Sequence, residues 1–179
     1  MLEIIIQGRG GQGAQTAGNL LARAFFAEGK YVQVFASYGG ARRGTPVSSF
    51  LRVDDSPVRR RCDIEHPNAI LCFDASLMDV RLLDRVGEET MIVVNSAKPA
   101  ENFKKLSAGK VYTIDGLQVS KENNLGGFIN STLLGAIVAV LNRPDIETMR
   151  KTIAESSAVK TEENVKACMD GFQLMQNNI

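Results

Sequence analysis

The chain has 179 residues, of which 44% are hydrophobic and 23% are charged, which is typical of one globular domain with a full hydrophobic core. Its formal net charge of +1 excludes a global electrostatic preference for nucleic acid or for an anionic membrane, and we expect neither as a partner. No apolar run reaches the length of a membrane span, and no basic leader precedes the first apolar segment. We therefore expect a single domain over residues 1–179 and a cytoplasmic location.

The chain opens with a strand, a glycine-rich turn and a helix. Ile4–Ile6 is β-branched and predicts a buried strand, and the glycines at 8, 10 and 13 follow in Gly-x-Gly-x-x-Gly spacing. We expect Gly8 to allow the tight turn, Gly10 to admit a ligand or a neighbouring loop, and Gly13 to bring the helix near the strand. Free N–H groups at a helix start attract anions, so the candidate binding residues here are Gly8, Gly10, Gly11, Gln12 and Gly13.

Two interpretations of this turn stay open at this point, because such glycines also serve only to pack a helix tightly on a sheet. A nicotinamide dinucleotide is disfavoured among the possible ligands. Its ribose needs an Asp or Glu about 20 residues further on, at the end of the second strand. Here that strand ends in Phe35, Ala36 and Ser37, without a carboxylate.

The next elements follow from periodicity and from turn residues. Small residues at helical spacing predict a helix over Ala14–Glu28 that stops at Gly29, and Tyr31–Phe35 predicts the second strand. A glycine-rich loop over Ser37–Pro46 then leads to Val47–Val53, whose alternation predicts a strand exposed on one side.

Strands and helices alternate along the rest of the chain. The predicted strands are Ala69–Phe73, Met91–Val94 and Lys110–Ile114, followed by a polar connection to Gly126-Gly127. The predicted helices are Ser76–Val86, Pro99–Leu106, a buried helix over Ile129–Leu141, one that begins at Pro144 and ends near Ser156, and Thr161–Gln176. This order predicts an α/β fold, a single Rossmann-like domain with a largely parallel sheet and helices on both faces.

Positive charge is concentrated in one part of the sequence. Six arginines fall between residues 42 and 61, and we interpret this segment as an anion-binding or partner-binding surface, because guanidinium groups bind phosphate and carboxylate in bidentate fashion. Arg42 and Arg43 favour function, since a glycine-rich loop has no packing need for paired charges. For Arg59–Arg61 a solvated surface is an equally good interpretation.

Several of these segments should meet at one edge of the sheet. Ligands bind outside the carboxyl ends of parallel strands, where the glycine turn, the Ser37–Pro46 loop, Asp74–Leu77 and Asn95–Lys98 all belong. Asp74 and Asn95 could instead cap the helices that follow them.

Complete catalytic sets are missing from the sequence. There is no Ser-His-Asp set, no Cys–His pair and no Walker lysine, and the three cysteines (Cys62, Cys72 and Cys168) form no C-x-x-C motif. We expect no metal site, including at the single histidine, His66. A binding edge without reactive groups suggests a chain that works within a larger enzyme.

The sequence resembles the gamma subunit of the 2-oxoacid:ferredoxin oxidoreductases over nearly its whole length. The resemblance is carried by GRGGQGAQTAGNLLARAFFAEGK, SYGGARRGTPV, DDSPV followed by arginines, FDASLM, IVVNS, GGFINSTLLGA and TEENVKACMDG, in this order. The RRGTP segment is most similar to the pyruvate synthase branch. Gly40-Ala41 departs from that branch, which has Pro-Glu there, so an aryl glyoxylate, indolepyruvate or 2-oxoglutarate stays open as the substrate.

The resemblance implies an oxygen-sensitive complex that decarboxylates a 2-oxoacid, reduces ferredoxin and transfers the acyl group to coenzyme A. It implies alpha, beta and delta subunits, and it places thiamine diphosphate, Mg and [4Fe-4S] clusters on these partners. Gly10–Gly13, Arg42 and Arg43 would then line the coenzyme A side or a subunit interface. The alternatives from the residues alone are a free-standing nucleotide-binding protein and an anion-binding scaffold.

Overall fold

A computed structural model describes residues 1–40, 42–104 and 106–179, and these form a six-stranded sheet with the strand order β2-β3-β1-β4-β5-β6. The strands are β1 (Leu2–Arg9), β2 (Tyr31–Tyr38), β3 (Pro46–Asp54), β4 (Ala69–Cys72), β5 (Met91–Asn95) and β6 (Lys110–Ile114). The predicted strand Lys110–Ile114 has the observed bounds, whereas β2 extends beyond the predicted Phe35 to Tyr38.

The strand directions bring most strand ends to one edge of the sheet. β1, β4, β5 and β6 pair in parallel, and β3 pairs antiparallel with both β1 and β2. Every strand except β3 therefore points the same way, so five strand ends meet at one edge, which we call the carboxyl edge. The predicted α/β fold with a largely parallel sheet is confirmed.

Helices cover the two faces of the sheet unequally. The helices are α1 (Ala14–Ala27), α2 (Val80–Leu83), α3 (Glu101–Lys104), α4 (Gly116–Glu122), α5 (Asn130–Leu141), α6 (Ile146–Ser156) and α7 (Thr161–Gln176). The larger core cluster joins one sheet face to α1, α5, α6 and α7. The opposite face packs against a 3₁₀ turn at Ala75–Leu77, the short helices α2 and α3, and Ile64.

Helices α5 and α7 cross without space for side chains at two positions. A Cβ atom built on Gly135 would lie 1.9 Å from the carbonyl oxygen of Cys168, and one built on Gly171 would lie 2.2 Å from that of Thr132. The crossing therefore depends on both glycines, because any larger residue would force the two backbones apart.

The prediction that β3 is exposed on one side is wrong. The second face of β3 contains Phe50, stacked on Phe35 with ring centroids 5.2 Å apart, and Arg52, which is only 1% exposed. The Arg52 guanidinium donates to Glu3 Oε1 (2.7 Å) and to the carbonyl oxygens of Cys62 (2.8 Å) and Asp63 (3.2 Å). The segment around Cys62 thereby covers this face.

The predicted helix Ser76–Val86 is shorter and divided. Asp74 caps the 3₁₀ turn through Ser76 N (3.0 Å), and Asp79, with an extended backbone, caps α2 through Leu82 N (3.1 Å). Two caps so close together start two short turns instead of one continuous helix.

A helix that was not predicted and a shifted helix start are further differences from the prediction. The polar connection after β6 contains the helix α4. Asp115 is its N-cap, because Asp115 Oδ1 accepts from Gln118 N (3.0 Å). The helix predicted to begin at Pro144 begins at Ile146, because Asp145 is its N-cap and accepts from Glu147 N (2.8 Å). Of the described residues, no helix is both long and apolar enough to cross a membrane.

Candidate functional site

The glycine turn and the connection between β2 and β3 are joined main chain to main chain. Gly10 N donates to Thr45 O (2.8 Å), and Gly44 N donates to Gly10 O (3.1 Å). Thr45 Oγ1 donates to Arg42 O (2.7 Å), which is a hydrogen bond within the connection itself. The segment 39–45, which we call the arginine loop, is thus held directly on the glycine turn at the carboxyl edge; Ala41, part of the Gly40-Ala41 departure, lies outside the described residues.

Gly8 and Gly13 have roles that differ from the predicted ones. Gly10 meets a neighbouring loop as expected, because a Cβ atom there would lie 3.3 Å from Gly44 N. The close approach of helix and strand occurs at Gly8, where a Cβ atom would lie 3.0 Å from Ala14 Cβ, and not at Gly13. Gly13 instead has a φ of +85° and leaves room for the Asn130 side chain, whose Nδ2 donates to Gly13 O (3.2 Å).

Both predicted arginines lie beside the glycine turn. A shallow depression of about 670 Å³ is lined by the glycine turn, the arginine loop and neighbouring strand ends: Gly10, Gly11, Tyr38, Gly40, Arg42, Arg43, Thr45 and Val47. Arg43 Nε would lie 3.1 Å from a Cβ atom on Gly11, so the Arg43 side chain lies across the turn. The structure therefore brings Gly10, Gly11, Arg42 and Arg43 together.

The remaining candidates of the turn lie around this depression. Gly13 lines an adjoining depression together with Ala14 and Thr16 in the first turn of α1, a helix of 14 residues that has no side-chain cap among the described residues. N–H groups in a first helical turn lack helical partners and favour anions. Gln12 points elsewhere, because its Oε1 accepts from Arg9 N (2.7 Å).

Arg9 is a site residue that the sequence analysis missed. Its Nε donates to Asp74 Oδ2 (2.9 Å), its Nη2 to Ser76 Oγ (2.7 Å) and its Nη1 to Gly44 O (3.2 Å). Burial alone raises the pKa of Asp74, but hydrogen bonds from Ser76 and Arg9 outweigh it and hold that pKa below its usual value. The sequence held two signals for this pair: Arg9 lies between two glycines, and Asp74 follows the strand that pairs in parallel with β1.

Asp74 and Asn95 have structural partners. Asp74 caps the 3₁₀ turn, as the capping interpretation expects. Asn95 does not cap the helix that follows it in sequence. It donates to Phe73 O (3.1 Å) and accepts from Gly116 N (3.0 Å), so it ties β4 to the start of α4.

The six arginines do not form one surface. Arg52 is buried beside Glu3, near the beginning of β1, and fixes Cys62, the residue after the Arg59–Arg61 run. Arg59–Arg61 are exposed and follow β3, whereas the arginine loop precedes it. The prediction of one surface that includes all six arginines is therefore wrong, because Arg52 is buried between the two exposed groups.

The cysteines do not fit an iron–sulfur cluster. Burial raises the pKa of the Cys72 and Cys168 thiols to about 12, so both stay protonated at neutral pH, while clusters are ligated by thiolates. The two belong to core clusters on opposite faces of the sheet, and Cys62 is exposed. In residues 1–40, 42–104 and 106–179, no three His, Cys, Asp or Glu side chains are grouped so as to hold a metal ion.

The fold and this edge define a Rossmann-like α/β binding domain. Residues 3–174 match the family model described as pyruvate ferredoxin/flavodoxin oxidoreductase. The chain belongs to this family, and within it to the gamma-type subunits of the multi-subunit 2-oxoacid:ferredoxin oxidoreductases.

Relatives and a solved structure agree over nearly the whole chain. The "pyruvate/ketoisovalerate oxidoreductases common subunit gamma" of Thermococcus kodakarensis is 37% identical, with 96% of each chain covered. The "pyruvate synthase subunit PorC" of Methanothermobacter marburgensis is 35% identical, with 99% of each chain covered. The crystal structure of the pyruvate oxidoreductase subunit PORC of Thermotoga maritima is 31% identical, covers 96% of this chain and 95% of its own, and superposes with a TM-score of 0.86.

Proposed function

We propose that this chain is the gamma subunit of a pyruvate-type 2-oxoacid:ferredoxin oxidoreductase and forms its coenzyme A side. The reaction converts pyruvate and coenzyme A to acetyl-coenzyme A and CO₂, with two electrons passed to ferredoxin. Thiamine diphosphate, Mg and [4Fe-4S] clusters belong to the alpha, beta and delta partners, and the complex works in the cytoplasm. One observation carries the proposal: main-chain hydrogen bonds fix Arg42 and Arg43 on the glycine turn.

The chemistry of this edge suits a phosphate-bearing co-substrate. Coenzyme A carries a pyrophosphate and a 3′-phosphate, and guanidinium groups bind phosphate oxygens through paired charge-assisted hydrogen bonds. The first turn of α1 adds N–H groups beside Gly13. The candidate cofactor-binding residues are therefore Gly10, Gly11, Gly13, Arg42 and Arg43. Gly8 and Gln12 shape the turn, because Gly8 permits the close approach of Ala14 and Gln12 Oε1 accepts from Arg9 N.

The choice of pyruvate rests on the relatives. Two of them are named for pyruvate, and the Thermococcus protein is named for ketoisovalerate as well. A gamma subunit shared between two oxidoreductases is compatible with a role at coenzyme A rather than at the oxoacid. The same edge would therefore serve a complex that acts on another 2-oxoacid.

Alanine variants of the arginine loop test the proposal in the complete complex. We expect Arg42→Ala and Arg43→Ala each to raise the KM for coenzyme A about tenfold, because a hydrogen bond to a charged group contributes about 1.5–3 kcal/mol. The KM for pyruvate should not change, since the oxoacid is bound elsewhere. Ferredoxin reduction at varied coenzyme A concentration measures both.

Arg23→Ala is the matched control, because Arg23 is an exposed arginine of α1 whose Nη1 donates to Ser156 Oγ (2.9 Å), away from the arginine loop. An unchanged KM for coenzyme A in both loop variants, with an intact complex, contradicts the proposal. Loss of the complex instead assigns the pair to a subunit interface. Micromolar binding of NAD, NADP or FAD to the isolated chain in calorimetric titration would favour the free-standing nucleotide-binding alternative.

A further inference from the structure

Arg9 connects three separate segments of the carboxyl edge. It ends β1, and its three guanidinium nitrogens donate to Asp74 and Ser76 in the 3₁₀ turn that follows β4 and to Gly44 in the arginine loop. The planar guanidinium presents its donors in a rigid fork, so one side chain holds all three acceptors at fixed angles.

The arginine loop has few other supports. Its main-chain bonds outside the loop go to Gly10 and from Gly39 N to Pro46 O at the start of β3, and its internal bonds run from Thr45 N and Oγ1 to Arg42 O and from Thr45 Oγ1 to Gly40 O. Among residues 1–40, 42–104 and 106–179, Arg9 supplies the one side-chain donor that reaches this loop from outside it. Among the described residues, Arg9 is therefore the side chain that links this loop to the turn after β4.

We propose that Arg9 is a positioning residue for the co-substrate: it holds the arginine loop so that Arg42 and Arg43 face the phosphates of coenzyme A. This inference rests on the proposed function. The guanidinium donors of Arg9 are directed at protein acceptors, and the ionised Asp74 keeps the guanidinium in place. Arg9 thus acts through the loop, and its removal should weaken coenzyme A binding without slowing the chemical step.

The conservative substitution separates charge from geometry. Lysine keeps the positive charge near Asp74 but has a single ammonium group that cannot reach three acceptors in fixed directions. We expect Arg9→Lys in the complete complex to raise the KM for coenzyme A about fivefold, with kcat changed less than about twofold, because only uniform binding is lost. Ser76→Ala removes one of the three contacts and should give a smaller increase.

A double-mutant cycle tests whether Arg9 works through the loop. In a background that already carries Arg42→Ala and Arg43→Ala, we expect Arg9→Lys to change the KM for coenzyme A by less than about 1.5-fold, since coupled residues are non-additive. Arg23→Lys is the matched control, because Arg23 lies in the second half of α1 and donates a hydrogen bond to Ser156 in α6.

The outcomes distinguish the two proposals. If Arg42→Ala and Arg43→Ala raise the KM but Arg9→Lys does not, or if its effect multiplies with theirs, the positioning role is overturned and the proposed function stands. If the loop variants themselves leave the KM unchanged, the proposed function fails. A lower kcat at constant KM in Arg9→Lys would also overturn the positioning role, because it would place Arg9 in the chemical step.

Discussion

Arg52 shows how one buried charge organises this fold. It is among the largest fully buried side chains of the described chain, and its guanidinium joins β1, β2 and the segment at 62–63 through Glu3, Gln33 and two carbonyl oxygens. The charge is compensated by Glu3, whose side chain is 18% exposed. A buried pair of this kind is costly to break, because one partner is left as an uncompensated charge.

We expect Arg52→Met to lower the free energy of unfolding by about 3–5 kcal/mol, as breaking a buried ion pair does. The loss includes the carbonyl oxygens of Cys62 and Asp63, which would lose their donor. Urea unfolding followed by circular dichroism measures it.

Arg59→Met is the matched control for Arg52→Met, because Arg59 is exposed and a surface substitution changes stability by about 0.5 kcal/mol or less. The double variant Glu3→Met/Arg52→Met should recover part of the loss, since it removes both charges. Equal effects of Arg52→Met and Arg59→Met would show that the buried pair contributes nothing.

Single residues were predictable where backbone geometry decides, and not where distant contacts do. The stop at Gly29 follows from a helix C-terminus that needs a left-handed residue, and its φ is +78°. The partners of Arg9 and Arg52 lie 65 and 49 positions away, at Asp74 and Glu3 respectively. Alternation alone made Arg52 look like a surface residue, because periodicity does not show what covers a strand.

The crossing of α5 and α7 brings the two helix backbones into close contact at Gly135 and Gly171. We expect Gly135→Ala to lower the free energy of unfolding by about 3 kcal/mol or more, at or beyond the upper end of overpacking costs. The added methyl group would meet the backbone oxygen of Cys168 at 1.9 Å, and a backbone cannot rotate away as a side chain can. Thermal or urea unfolding measures the difference.

Gly127→Ala is the control for this crossing, because Gly127 has no atom within 4 Å of an added Cβ and no left-handed backbone. Its stability should change little or rise by about 0.4–1 kcal/mol, as the unfolded chain loses freedom. A similar loss in both variants would mean that helix packing is not the cause.

Elements with strong periodicity or clear caps were predicted well. The bounds of β6 and α7 agree with the prediction, because each is a regular apolar pattern between polar turns. Helix α4 was missed because only seven residues carry it, although the Asp115-x-x-Gln118 spacing is a recognisable cap. After Asp74 the prediction gave one long helix where the structure has two short ones, because the apolar pattern does not show that Asp79 starts a second turn.

The two faces of the sheet should differ in stability. One face is covered by helices of 11 to 16 residues, and the other by α2 and α3, which have four residues each. We expect amides of α2 and α3 to exchange with solvent fastest, and amides of β1 and β4 to exchange slowest, because short helices open locally at low cost. Hydrogen–deuterium exchange with mass spectrometry measures this order.

Protection of α2 equal to that of β4 would contradict this picture. The internal control is α5, which is a helix like α2 but is buried almost throughout, so its amides should exchange as slowly as those of the central strands.

The whole architecture was predictable in class but not in strand order. Alternating strands and helices imply a mostly parallel sheet, and the convergence of loops at the carboxyl edge follows from that alone. The insertion of β3 between β1 and β2 was not predictable, because an exposed-looking strand gives no pairing signal. This insertion is what brings the arginine loop onto the glycine turn.

The arginine loop is attached to the glycine turn through backbone atoms of Gly10, Gly44 and Thr45, so its position owes little to the identity of the side chains it displays. Substitutions at Arg42 and Arg43 alter what is recognised while the supporting frame survives. Arg42 and Arg43 are therefore positions where substitutions, natural or engineered, can change ligand preference while the protein still folds.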